Sequence, residues 1–135
     1  MSKSDPEDSL ISMLDKPEDV RRKLRRAVTD SDGEIRFDPV HKPGVSNLLS
    51  ILSVLSGETM DALTSRLAGQ GYGKLKEDTA EAVIATLSPI QARYQELMAD
   101  KAYMAATLKR NAERAQQLAL RTLRKVHKKL GLYQP

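Results

Sequence analysis

The chain has 135 residues, 40% apolar and 30% charged, with one Phe, no Trp, four Tyr and no Cys. That is the size of one compact domain, or of a core with an extended helical arm, and the scarcity of aromatics suits a helical core of Leu, Ile, Val, Ala and Met better than a β-sandwich. Disulfides and thiolate metal sites are excluded, and no apolar run approaches the roughly 18 residues a membrane span needs. A soluble, cytoplasmic chain is the default expectation.

The formal charge of +4 hides an asymmetry. Residues 1–100 carry 13 Lys or Arg against 17 Asp or Glu, whereas residues 101–135 carry nine basic residues against Glu113 alone. A basic segment of this kind favours a polyanion or an acidic surface as partner, although a solvated helix can carry the same residues without one.

In chain order, residues 1–8 are small, polar and acidic with a proline and read as loop. Leu10, Ile11, Met13 and Leu14 form a short apolar cluster. Pro17 suits a first helical turn, Glu18 and Asp19 sit at the positive end of the helix dipole, and Arg21 to Arg26 follow, so a helix is predicted over 17–28 with Val20, Leu24, Ala27 and Val28 as its buried stripe. Thr29 to Gly33 is turn chemistry, residues 35–39 have a short extended character, and His41 to Gly44 breaks the chain again. Residues 45–55 form the helix with the smallest polar face. Gly57 ends it, and Thr59 caps a short helix through Leu67.

A second break at 69–73 leads into a helix over 74–99, about 39 Å long, which Pro89 should kink. The last helix runs over about 102–130, with Leu108, Ala112, Ala115, Ala119, Leu123, Val126 and Leu130 on one stripe, and stops at Gly131. The fold class is all-α: a helical bundle of about five helices with a long basic C-terminal helix. The expected organisation is a loop and connector over 1–16 and a helical domain over 17–135.

Two basic groups stand out. On the first predicted helix, Arg21, Arg22, Lys23, Arg25 and Arg26 form a dense cluster with Glu7, Asp8, Glu18 and Asp19 nearby, which fits either a salt-bridged solvated face or phosphate contacts. On the last, Lys109, Arg110, Arg114, Arg121, Arg124, Lys125, Lys128 and Lys129 fall largely off the apolar stripe and form a basic outer surface. His41 reads as a loop polar residue and His127 as part of the basic face. No His, Asp or Glu spacing suggests a metal site, and no protein-bound metal is expected.

Met1-Ser2-Lys3-Ser4 is four-fifths of the KMSKS element of class I aminoacyl-tRNA synthetases. Downstream, Ala27-Val28-Thr29-Asp30-Ser31, Phe37-Asp38-Pro39, Lys42-Pro43-Gly44-Val45-Ser46-Asn47-Leu48-Leu49, Gly71-Tyr72-Gly73, Ala80-Glu81-Ala82-Val83 and Pro89-Ile90-Gln91-Ala92-Arg93-Tyr94 follow in order. These blocks resemble the C-terminal part of bacterial tryptophanyl-tRNA synthetases over essentially the whole chain, and the Lys42 to Leu49 block is the most specific of them.

The resemblance implies an enzyme that uses ATP, with Mg²⁺ entering alongside it, to activate tryptophan and attach it to its tRNA. It further implies a helical domain of the anticodon-binding type and a Rossmann domain upstream. Met1, Ser2, Lys3 and Ser4 would then lie in the ATP-binding loop, with Lys3 as the catalytic contact to the phosphates, while the basic residues of the first and last helices would contact tryptophan tRNA. The 135 residues contain no HIGH-like motif and no nucleotide-binding βα units, so the chain alone is expected not to activate tryptophan. A homodimer is expected for the whole enzyme, with no DNA or membrane partner. Two other classes fit the same residues: a free-standing, non-catalytic helical RNA-binding module, and a helical scaffold for an acidic protein.

Overall fold

The computed structural model describes residues 9–132. Met1, Ser2, Lys3 and Ser4, on which the ATP-loop expectation falls, lie outside the described residues. Five helices follow in order: α1 (Pro17–Arg26), α2 (Pro43–Ser56), α3 (Met60–Leu67), α4 (Gly71–Ala99) and α5 (Lys101–Leu130). Among the described residues there is no strand, so the chain is all-α as expected.

Local chemistry accounts for most boundaries. Pro17 and Pro43 open α1 and α2 at positions where a missing N–H costs nothing. Gly57 and Gly131 close α2 and α5 in the left-handed region, at φ 76° and 66°, where a β-carbon would be strained. Thr59 caps α3 by accepting the Ala62 N–H at 3.3 Å, and Asp100 caps α5 by accepting that of Tyr103 at 2.8 Å. Helix α4 runs through Pro89 without interruption. Pro89 still leaves the Ala85 carbonyl without its helical N–H donor.

The chain divides into two compact units, Met1–Ala92 and Arg93–Pro135. The first holds the core: Val20 and Leu24 from α1, Ile35 from the loop, Val45, Leu48, Leu49 and Leu52 from α2, Leu63 and Leu67 from α3, and Leu75, Ala80, Val83 and Leu87 from α4. Ile11 packs against this cluster, whereas Met13 and Leu14 stay about half exposed. The connector is pinned by Gln91, whose side-chain amide donates to the carbonyls of Met13 at 3.0 Å and Asp15 at 2.9 Å.

Two expectations need correction. The stripe of α1 does not extend to Val28, which is 85% exposed, because the helix ends at Arg26 and the Ala27 backbone turns to φ −53°, ψ 135°. Helix α2 is the most densely buried, yet Val54 on it is 81% exposed, as one face of even this helix reaches water.

The second unit comprises the end of α4 and the whole of α5, in which no residue is buried. Leu108, Leu118, Leu123 and Leu130 are all exposed on it.

Candidate nucleic-acid interface

The basic cluster of α1 separates into residues with different jobs. Lys23 turns inward and is buried, with Nζ 2.7 Å from Asp15 Oδ2. Burial would raise the Asp15 pKa, but the bond from Lys23 prevails and holds the carboxyl below the usual range. Arg21 lies across to α4, where Nε and Nη2 reach the two oxygens of Glu81 at 2.7 and 3.2 Å. Arg22 bonds Asp19 one turn earlier at 3.1 Å. Arg25 is exposed, and the described residues place no carboxylate within ion-pair distance of it. Beside it, Lys76 of α4 donates to the Arg25 carbonyl at 3.3 Å.

A groove of about 400 Å³ lies here, lined by Arg21 and Arg25 of α1 and by Gly73, Lys76, Glu77, Ala80 and Glu81 of α4. The α4 residues recur at steps of three and four and therefore share one helical face. Sequence reasoning found Arg21 and Arg25 but not Lys76, because the face it shares with them exists only once α1 and α4 pack.

Elsewhere in the first unit the chain is held by a buried cation. Lys42, 2% exposed, directs Nζ to Asp30 Oδ1 at 3.1 Å, the Glu34 carbonyl at 3.0 Å and the Tyr72 hydroxyl at 2.9 Å, and also bonds Asp32. The Tyr72 hydroxyl donates to Asp30 and lies 2.9 Å from Asp32. Burial by itself would lower the Lys42 pKa. The bonds to Asp32, Tyr72 and Asp30 outweigh it and hold the ammonium above the ordinary lysine value, while Lys42 in turn keeps Asp32 far below the usual carboxylate range.

Next to it, Asp38 caps the turn into α2. Its carboxylate accepts the His41 N–H at 2.9 Å and meets the His41 ring at 3.0 Å, and the first of these contacts contributes most to a pKa of about 2. Ser46 accepts the Asp38 N–H at 2.8 Å. Gly44 packs on the carbonyl of Val28, with which a β-carbon would collide. The sequence blocks that begin at Ala27, Phe37, Lys42 and Gly71 thus meet at one place.

On α5, Arg110, Arg114, Arg121, Arg124, Lys125 and Lys128 are all exposed. Arg124, Lys125 and Lys128 border a shallow recess with Gly131 and Leu132 at the helix C-terminus, where cations offset the negative end of the dipole. The geometry brings these three together and leaves Arg110 and Arg114 more than two turns upstream.

Among known families, the one described as tRNA synthetases class I (W and Y) matches residues 1–88. The chain belongs to this family. It is 51% identical over 132 residues to the tryptophan–tRNA ligase of Mycobacterium leprae, covering 97% of this chain and 38% of that protein. It is 44% identical over 133 residues to the tryptophan–tRNA ligase of Bacillus subtilis, covering 98% and 40% respectively. The crystal structure of tryptophanyl-tRNA synthetase from Mycoplasma pneumoniae superposes with a TM-score of 0.71 at 31% identity, covering 98% of this chain and 41% of that one.

The chain therefore spans about two-fifths of the length of these class I synthetases and corresponds to their C-terminal part. Lys42, Asp30 and Tyr72 of its buried cluster belong to the blocks that carried the resemblance, whereas Asp32 and Glu34 lie between those blocks. No helix of the described residues is long and apolar enough to cross a membrane.

Proposed function

We propose that this chain is the part of a tryptophan–tRNA ligase that presents tRNA-contacting helices and the ATP-loop lysine. In the whole enzyme, ATP would activate tryptophan as its adenylate with release of pyrophosphate, and the activated amino acid would pass to its tRNA. The observation that carries the reading is the similarity to tryptophan–tRNA ligases along nearly the whole chain, at 44 to 51% identity with the two relatives described above.

Within it, Lys3, flanked by Met1, Ser2 and Ser4, would meet the negative charge that builds on the departing pyrophosphate, with Mg²⁺ arriving bound to the nucleotide. Residues 1–16 would serve as that loop and its connector, and residues 17–135 as the tRNA-binding region. The partners are tryptophan tRNA, an upstream Rossmann domain and, in the whole enzyme, a second subunit, all in the cytoplasm. Arg21, Arg22 and Arg25 on α1, and Arg110, Arg114, Arg121, Arg124, Lys125 and Lys128 on α5, form the candidate contact surface. Cations of this kind fix register on the phosphate backbone, while base identity is read elsewhere by edge contacts.

The test is binding of the 135-residue chain to tryptophan tRNA and to an unrelated tRNA across a salt series, with tryptophan-dependent ATP–pyrophosphate exchange followed on the same sample. Preference for tryptophan tRNA supports the reading. Equal, steeply salt-dependent binding to both would reduce the surface to a generic polyanion site. Exchange by these residues alone would overturn the expectation that activation needs a nucleotide-binding domain.

A further inference from the structure

The groove between α1 and α4 differs from the rest of the basic surface in how its charges are spent. Glu81 is taken by Arg21, and Glu77 lies 3.2 Å from Lys74. Each carboxylate on the lining therefore has a cation beside it, with Lys74 shared between Glu77 and Asp78. Arg25 and Lys76 remain, and the described residues place no carboxylate within ion-pair distance of either.

Arg25 is exposed and Lys76 half-buried, the latter steadied by its bond to the Arg25 carbonyl. The opening between them is about 400 Å³, and a β-carbon at Gly73, on its α4 side, would meet nothing within 4 Å. An uncommitted guanidinium fork beside an anchored ammonium, facing an unfilled space, suits a tetrahedral dianion or phosphodiester. Arg can take both non-bridging oxygens in plane, and Lys supplies a point charge beside one of them.

The same α1 face continues into a second, shallower recess lined by Glu18, Arg21, Arg22, Arg25 and Arg26. Arg25 lines both recesses, so a strand lying along α1 would meet it from either side.

We propose that the α1–α4 groove is a backbone subsite for RNA, in which Arg25 and Lys76 together hold a phosphodiester. Arg21 acts there as a positioning residue, holding α1 against α4 through Glu81. The inference rests on the tRNA reading above and assigns the contact to Arg25 and Lys76, not to the paired arginines Arg21 and Arg22.

The experiment is fluorescence anisotropy of labelled tryptophan tRNA with the 135-residue chain at several salt concentrations. Arg25→Gln with Lys76→Gln should raise Kd roughly tenfold and flatten the slope of log K against log salt by about 0.7–0.9, the effect of one lost phosphate contact. Gly73→Glu, whose β-carbon meets nothing within 4 Å, puts a carboxylate beside the opening and should weaken binding comparably, with unchanged circular dichroism. Arg36→Gln with Arg93→Gln removes the same net charge elsewhere and should change Kd less than threefold.

If the Arg25/Lys76 and Gly73 variants bind like the Arg36/Arg93 control while Arg121→Gln with Arg124→Gln lowers affinity, the groove proposal is wrong and the tRNA reading stands. If the unaltered chain binds no tRNA, both fail. Binding that depends on the groove but is equal for a DNA duplex keeps an anion site and overturns its assignment to RNA.

Discussion

The Nζ of Lys42 lies 2.9 Å from the hydroxyl of Tyr72, thirty residues further along the chain. Between them they bond Asp30, Asp32 and the Glu34 carbonyl, so one buried ammonium organises the long loop between α1 and α2 and fastens it to the start of α4. Replacing Lys42 with Met keeps much of the side-chain length and leaves Asp30 and Asp32 facing each other without a cation. Removing one partner of such a cluster is far more damaging than replacing all of it. Lys42→Met should lower the thermal midpoint more than the loss of any exposed charge, such as Arg93, and Tyr72→Phe should fall between the two.

Gly44 tests the same junction sterically. A β-carbon there runs into the Val28 carbonyl, which is backbone and cannot rotate away. Gly44→Ala should destabilise the fold by about 1–3 kcal/mol, the usual cost of overpacking, despite the higher helix propensity of Ala. Urea unfolding followed by circular dichroism measures it, and an unchanged midpoint would contradict the packing.

The acid limb of stability should report Asp38. Its pKa is depressed to about 2, first by the His41 N–H, from the ordinary value of 3.8. The unfolded chain therefore binds protons before the folded one as pH falls. The contribution is complete above the unfolded value and is lost as pH drops from near 4 towards 2. Asp15, Asp30, Asp32 and Asp78 are shifted in the same direction and add to the slope. Asp38→Asn should give a less stable protein at neutral pH with a shallower decline across that window, read from urea midpoints at a series of pH values.

The two units should respond differently to truncation of leucine. Leu49 is fully buried, and Leu49→Ala should cost about 2–5 kcal/mol. Leu118 is 62% exposed on α5, so Leu118→Ala should change stability by less than about 0.5 kcal/mol. Hydrogen exchange should likewise find α5 amides exchanging well before those of α2, since no α5 residue is buried.

Much of this architecture was legible in the chain. Pro17, Gly57, Thr59 and Gly131 each carry a conformational or hydrogen-bonding preference strong enough to mark a helix end without tertiary help, and the structure uses all four. Two starts were read late: α2 at Val45 instead of Pro43, and α4 at 74 instead of Gly71. There proline and glycine breaks mask a first turn.

Lys42 was visible only as a member of a family block. Nothing local distinguishes a lysine that will be buried by partners eight to thirty residues away from one that will face water. Lys76 was missed for the same reason, since its neighbour Arg25 is fifty-one positions upstream. The inward turn of Lys23 within a run of arginines could have been suspected, as it lies three residues from Val20 and four from Ala27, at the edge of the apolar stripe.

Lys23 and Lys42, 7% and 2% exposed, are the buried lysines of the described residues, whereas their counterparts on α5 stand in solvent. An amine-acylating reagent should therefore modify the tail within moments of mixing and reach these two only when the first unit opens. The molecule carries two intrinsic clocks for its own unfolding, one at the connector and one at the loop, and mass spectrometry of each tryptic region would time them separately.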